Sequence, residues 1–311
     1  YQGTRIHPIP QGGGAGQRAL YGAGSDPGVS TSIDSIEINT LGNGTNFGNL
    51  TLARYGTAPA AGSTRAIYGG GYISASPNNT NTMDYVIYSH RGNGADFGNL
   101  TVAGINLGCG MGNSTRGVFG TKMNPNSNTL DYITIATIGN ATDFGDLAVA
   151  RYQGGGANST TRGMYLGGAT PSLSDVVEYI TIGSTGNATD FGDLTAATSR
   201  PQGVSSSTRA LCGGGAVSGA DTVTIEYFTI SSTGDASDFG DLTLARRLDG
   251  VGASNSIRGV FMGGYANSPG DYVNTMDYVT IASTGDASDF GDLSRSVGSG
   301  SACSNGHGGL S

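Results

Sequence analysis

Residues 185–195 read Thr-Gly-Asn-Ala-Thr-Asp-Phe-Gly-Asp-Leu-Thr, and this stretch decides the fold because its core recurs. Asp/Asn-Phe-Gly-Asp/Asn-Leu occurs six times, with phenylalanines at Phe47, Phe97, Phe144, Phe191, Phe239 and Phe290, spaced 50, 47, 47, 48 and 51 residues apart. Two further markers keep the same phase. One is an arginine, at Arg18, Arg65, Arg116, Arg162, Arg209 and Arg258, followed three residues later by Tyr21, Tyr68, Phe119, Tyr165, Cys212 or Phe261. The other is a carboxylate, at Asp34, Asp84, Asp131, Glu178, Glu226 and Asp277. Tyrosine follows it in every repeat but the first, where Ser35 stands.

Each repeat is predicted to hold four short strands. The first is small and glycine-rich, as at residues 152–157. The second runs from the marker arginine to a glycine pair, as in Arg65-Ala66-Ile67-Tyr68. The third alternates, as in Asp131-Tyr132-Ile133-Thr134-Ile135, and period two means strand. The fourth contains Phe-Gly-Asp-Leu-Thr. No window sustains a 3.6-residue apolar period, so helix is expected to be near nil. A period near 50 residues with four strands per unit describes a β-propeller blade. One blade cannot bury both of its faces, whereas blades stacked in a ring bury them against each other. Small first strands suit a crowded hub. A linear solenoid needs only about 20–30 residues per coil.

The expected fold is therefore an all-β, single-domain propeller over residues 1–311, with six four-stranded blades spanning roughly 6–293. Residues 1–5 and 294–311 are read as terminal closing segments. Arg5 sits where Arg54 does, so 1–5 resembles the tail of a fourth strand. Residues 294–311 resemble another first strand plus the stub of a second. The alternative is seven blades, the last incomplete and built from both termini.

Composition narrows the function classes. The 311 residues include 56 glycines, with 36% hydrophobic and 12% charged side chains and a net charge of −8. The single lysine is Lys122. A nucleic-acid partner is not expected, since no cationic footprint is present. Membrane insertion is not expected, since no run approaches ~18 apolar residues. The glycines do not fall at every third position, against collagen. Regular β-branched and aromatic clusters oppose disorder. Cys109, Cys212 and Cys303 are an odd, scattered set that makes neither a disulfide framework nor a zinc site. The chain starts at Tyr1, which is read as a processed product or part of something longer, and no signal peptide is visible. Scarce lysine with plentiful Gly, Ser, Thr and Asn suits a virion-borne or extracellular protein.

The pattern resembles the Kelch repeat. The resemblance rests on the doublets Gly69-Gly70, Gly167-Gly168, Gly213-Gly214 and Gly263-Gly264, and on the arginine before strand one (Arg54, Arg151, Arg200, Arg247). It departs in lacking tryptophan, whose place the Asp-Phe-Gly-Asp-Leu phenylalanine is expected to fill. A closer likeness is to Kelch-like repeat proteins of marine bacteriophages, in which the unit at 185–195 recurs almost literally. That resemblance covers nearly the whole chain. It implies a virion structural or tail-fibre component, non-enzymatic, that meets other virion proteins or a host-surface glycan or protein, and a homo-oligomer is compatible with it.

The markers themselves are read as scaffold, because a marker present in every blade is not a catalytic site. Each arginine (Arg18, Arg65, Arg116, Arg162, Arg209, Arg258) is expected to pair with its own repeat's carboxylate (Asp34, Asp84, Asp131, Glu178, Glu226, Asp277) between strands two and three. The guanidinium fork suits this. The Asp-Phe-Gly triplets are no kinase signature, since the lysine strand and catalytic loop are missing. They read as an Asx-stabilised turn plus a buried phenylalanine. No cofactor is expected. The one metal reading is calcium at the Asp-rich turns (Asp235, Asp238, Asp241; Asp286, Asp289, Asp292), whose three-residue spacing is not that of an EF-hand and which weaken to Asn43, Asn46 and Asn49 in blade one. His7, His90 and His307 fall in different repeat contexts. The copper-ligand set of a galactose-oxidase-type propeller and the Ser-x-Asp box of a sialidase-type one are not found. Cys212 reads as a core residue.

Strand order puts the one–two and three–four turns on one face, which is nearly uniform in sequence. The two–three loops (25–32, 72–80, 121–126, 169–174, 216–222 and 265–273) and the four–one connectors lie on the other. The two–three loops vary in length and chemistry, and loops on a rigid scaffold are where binding concentrates. The candidate ligand-binding residues are Tyr72, Asn78, Asn79, Lys122, Asn124, Asn126, Tyr265, Asn267, Asp271 and Tyr272. Tyrosine with Asn and Asp suits a sugar or a protein partner. The alternative functions are a secreted carbohydrate-binding, lectin-like propeller and, less favoured, a propeller glycosidase or oxidase.

Overall fold

A computed structural model of the chain describes residues 18–25, 28–76, 78–122, 127–249 and 252–310, with backbone only for 105–107, 121 and 122. Arg5, His7, Asn124 and Asn126 lie outside the described residues, as does the 1–5 segment.

The described residues form six four-stranded antiparallel sheets and three minor hairpin sheets. Blade four is representative: Gly155–Asn158, Arg162–Leu166, Val176–Thr181 and Thr189–Asp193, in that order from the hub outward. The Asp-Phe-Gly step imposes a bulge on strand four. Val177 faces Gly192 and Glu178 faces Asp190, so Phe191 has no cross-strand partner and turns into the core. The core lies between blades. One cluster joins Met164, Val177 and Phe191 of blade four to Ala210, Cys212 and Phe228 of blade five, and the other clusters repeat this around the ring.

Blade one is closed by the far end of the chain. Its innermost strand is Ser301–Ser304, antiparallel to Arg18–Gly22. Blade six bonds blade one directly: Ser294 donates N–H and Oγ–H to Asp34 (2.9 and 2.7 Å), and Gly42 N–H reaches Phe290 O at 2.9 Å. Among the described residues no blade stands between six and one, where the seven-blade alternative would place its incomplete blade. The stub expected after the closing strand is not a strand either. Residues 305–310 turn into the hub.

The arginine–carboxylate pairing is also corrected. Cross-strand register places Arg18 opposite Glu37 and Tyr21 opposite Asp34, so each marker arginine and its own carboxylate stand three positions apart along paired strands. Arg65, Arg116, Arg162, Arg209 and Arg258 lie instead over the tyrosine that follows the carboxylate, with Cζ 4.4–4.9 Å from the ring centroid. Each then donates to a carbonyl of the next blade. Arg162 reaches Ile230 O at 2.7 Å and Arg258 reaches Ile38 O at 2.8 Å. Blade one lacks the tyrosine, and Arg18 pairs with Glu37 (2.9 Å) while still reaching Tyr88 O.

The carboxylates point the other way, to the preceding blade. Asp84 accepts from Thr51 N and Oγ1 (3.0 and 2.6 Å), Asp131 from Thr101, Glu178 from Ala148 N, Glu226 from Thr195 and Asp277 from Thr243. Three carboxylates also hold a wholly buried arginine: Arg54 with Asp84 (3.1 Å), Arg151 with Glu178, and Arg246 with Asp277 (2.8 Å). The arginine before strand one is thus the buried partner at Arg54 and Arg151, whereas in blade six the buried residue is Arg246, not Arg247.

A local Asx contact is made in blade six, where Gly291 N–H donates to Asp289 Oδ1 at 3.2 Å, and the preceding Asn or Asp of the turn bonds across blades. Asn187 Oδ1 accepts from Asp146 N of blade three (3.1 Å), while Gly186 and Ala188 donate to Phe144 O and Asp146 O at 2.8 Å. Asp235 and Asp286 do the same for Asp193 and Asp241. This covers the outer edge strand of each blade, which would otherwise invite pairing with another chain. It also explains the glycines: Gly145 sits at φ 140°, and a Cβ there would lie 2.4 Å from Gly186 O.

Candidate functional site

The first strands crowd the hub as the glycines foretell. A Cβ on Gly203 would lie 2.1 Å from Gly156 O, and one on Gly110 would lie 1.7 Å from Pro59 O. On the uniform face the hub is filled by the chain's own C-terminal turn. His307 donates Nε2–H to Ala61 O (2.9 Å), and its Nδ1 accepts from Asn158 Nδ2 and Gly309 N (both 3.1 Å). That set of partners fixes the neutral tautomer with its proton on Nε2. Burial pushes the His307 pKa down to about 4. Gly308 N–H bonds Ser205 O at 3.1 Å, tying the plug to blade five.

On the variable face the hub keeps a polar mouth. Where five of the connectors enter their first strands, a residue adopts left-handed backbone: Gly56 (φ 68°), Gln153 (60°), Arg200 (58°), Asp249 (63°) and Ser299 (54°). Their amides point around the ring. Arg200 N–H reaches Gln153 O (2.7 Å), Asp249 N–H reaches Arg200 O (3.1 Å) and Gly56 N–H reaches Ser299 O (2.6 Å). Non-glycine residues held there cost about 1–3 kcal/mol each, and such strain gathers at functional sites. The side chains interlock. Arg200 Nε lies 3.9 Å from Asp249 Oδ1, and Ser299 Oγ donates to Asp249 Oδ2 at 3.2 Å. Gln153, with its amide oxygen turned toward Arg200, accepts from Nη2 and Nε at 3.0 and 3.1 Å. Burial raises the Asp249 pKa, and the Arg200 charge opposes that shift.

The loops expected to bind frame this mouth in two groups. In blade two, Tyr72 stacks on Tyr55 (4.9 Å between ring centroids) and bridges to Asn79, leaving Asn78 exposed. In blade six, Tyr265 meets Tyr272 edge-on at 5.8 Å. Asn267 is not free for a ligand: its N–H and Nδ2 donate to Asp221 of blade five (2.6 and 3.0 Å), which also holds Arg247 (2.8 Å). Asp271 is exposed in the strand Asp271–Tyr272. Lys122 ends the strand Arg116–Lys122, and nothing is described of its side chain. Among the described residues no group of three His, Cys, Asp or Glu side chains is placed to hold a metal ion.

Of the mouth residues, Gln153, Asp249 and Ser299 were missed by sequence reasoning, and Arg200 was read only as the repeat's arginine before strand one. Their signal was available. They share one position in the four–one connector, yet they differ in every blade, which marks a place where the repeat stops constraining the side chain.

The chain is similar in structure to YjhT, a β-propeller-type protein, with a TM-score of 0.70 over 88% of this chain and 96% of that one, at 11% identity. The fold is a β-propeller. No family model matches the propeller's sequence, and no curated protein matches it.

Proposed function

We propose that this propeller is a non-enzymatic recognition and assembly module, of the virion or tail-fibre kind that its repeat resembles, working through the variable face. The observation that carries the reading is the division of labour between faces. The repeat markers are spent on blade-to-blade bonding, and one end of the hub is filled by the chain's own residues 305–310. Side chains that differ between blades gather around the other mouth, together with two tyrosine pairs. The carboxylate at that mouth, Asp249, is engaged by Arg200 and Ser299 and, among the described residues, has no second acid beside it to share general acid–base work, which favours binding over turnover. Half-buried tyrosines with Asn and Asp beside them suit a glycan or a protein surface.

The test is binding of the purified protein to intact candidate host cells and to a glycan array. A variant with residues 74–78 and 268–270 replaced by Gly/Ser runs beside it, keeping Tyr72, Tyr265 and Tyr272. Binding that the loop variant loses supports recognition through this face. Binding that both proteins retain equally moves recognition off the loops, and binding by neither removes the host-surface half of the reading.

A further inference from the structure

Blade four shows how an arginine fills the space beside a marker carboxylate. Arg151 lies over Tyr165, with Cζ 4.7 Å from the ring centroid. Its Nη1 donates to Val176 O (2.6 Å), Gly167 O (3.3 Å) and Ser174 Oγ (3.4 Å), and its Nη2 to Glu178. Blade six repeats the arrangement, with Arg246 on Gly263 O (2.9 Å) and Asp277 (2.8 Å).

Blade five keeps the acceptors and omits the arginine. Seven residues beyond the Asp-Phe-Gly phenylalanine, Thr198 stands where Arg151 does, and Cys212 replaces Tyr165. The acceptors remain: Gly214 for Gly167, Thr222 for Ser174, Thr224 for Val176 and Glu226 for Glu178. Their backbone is superposable in kind. Gly214 has φ 65° against 58° for Gly167, and its N–H bonds Thr224 O as that of Gly167 bonds Val176 O (3.0 and 3.2 Å). Two large side chains have become two small ones, and a cavity of about 40 Å³ open to water-sized spheres remains between Thr198, Cys212, Gly214, Thr222, Thr224 and Glu226. That is room for about three waters, close to the bulk of one guanidinium group. Its rim at Ala196, Val217 and Thr222 is partly exposed.

Glu226 supplies the charge. Its exposure is 6%, Oε1 accepts from Thr195, and among the described residues Oε2 has no hydrogen-bond partner although the side chain lines the cavity. Oε2 is open to solvent and the side chain lines the cavity, so a cation entering there gains a charge-assisted contact without displacing a protein partner. The neighbouring acceptors are disposed as those that hold a planar fork in blade four, not a point charge.

We propose that the blade-five cavity is a binding site for a guanidinium group, presented by a small cation or by an arginine side chain of a partner. The site would exist on a propeller of any function, so it does not rest on the recognition reading.

The experiment is titration of the intact protein with N-methylguanidinium, acetyl-arginine amide and, as control, acetyl-lysine amide, followed by calorimetry and by NMR. Saturable one-to-one binding of N-methylguanidinium is expected, weakened about tenfold or more in Glu226→Gln through loss of a charge-assisted contact. The lysine amide is expected to bind less well than the arginine amide. Tighter binding of the arginine amide than of N-methylguanidinium marks a partner's arginine as occupant, and equal binding marks the free cation. Thr198→Arg is expected to abolish binding while keeping or raising the melting temperature, since its own guanidinium fills the cavity. Absence of saturable binding to the wild-type protein overturns the proposal, as does binding that Glu226→Gln leaves unchanged. Both readouts are independent of whether Thr198→Arg folds.

Discussion

The two faces of the ring come from the same six repeats and bond in different ways. On the uniform face each blade is tied to the next. Arg162 reaches Ile230 O, Asn187 receives Asp146 N, and equivalents recur around the circle, including blade six to blade one through Arg258 and Ile38. On the variable face the main chain at the mouth is also linked from blade to blade, as in Arg200 N–H to Gln153 O, but the loop side chains bond locally or join two blades only, as in the Tyr55–Tyr72 stack or the Asp221, Arg247 and Asn267 network. A bond repeated in every blade ties the side chain to one role. A bond made once leaves the other blades free to change. The fold thus holds its stability in the repeated bonds and can alter its surface where a bond is made once.

Among single substitutions the largest effect is expected beneath the variable face. Asp277→Ala would leave the wholly buried Arg246 without its counter-charge, and a loss of roughly 3–5 kcal/mol is expected in equilibrium unfolding. A loss below about 1 kcal/mol would mean that water or another group neutralises Arg246, since exposed pairs are worth that little. On the uniform face, Gly145→Ala puts a Cβ against Gly186 O and holds alanine at φ 140°. Roughly 2–4 kcal/mol is expected from overpacking and backbone strain together. Retained stability there would show that the turn can slide without disturbing the ring.

A smaller effect is expected from pH. The unfolded chain protonates His307 near its ordinary 6.5, whereas the folded hub holds it neutral down to about 4. Stability from this group is therefore present above pH 6.5 and is lost on acidification toward 4, by at most about 1.4 kcal/mol per pH unit. Asp249 and Glu226, raised by burial, act in the opposite sense as their protonation is reached. Melting temperature against pH for the wild type and His307→Asn isolates the histidine. The variant is expected to lose less stability between pH 6.5 and 4, and parallel curves would detach the plug from the titration.

Much of the architecture was legible because repetition averages out local ambiguity. Six copies of Asp-Phe-Gly-Asp-Leu fix a period that no single copy shows, and period-two alternation around Asp131-Tyr132-Ile133 fixes strand three. The partners of the markers were not legible. Arg65 and Asp84 lie in one repeat and phase together, yet Arg65 bonds Ile135 of the next blade and Asp84 bonds Thr51 of the one before. In a closed ring the nearest neighbour in space is a whole period away in sequence, and period alone does not say in which direction. The mouth was hidden for another reason. Gln153, Arg200, Asp249 and Ser299 share a backbone conformation rather than a side-chain type, so in sequence they show only as one connector position at which the repeat varies. The blade-five cavity becomes visible only once the socket in blade four is known to hold Arg151.

The most direct measurement is denaturant unfolding of two variants side by side, Gly145→Ala on the uniform face and the replacement of 74–78 and 268–270 on the variable face. The loop variant is expected to stay within about 0.5 kcal/mol of wild type, as exposed substitutions usually do, while Gly145→Ala falls well below it. A loop variant that loses as much stability as Gly145→Ala would contradict the division of the propeller into a bonded face and a free one.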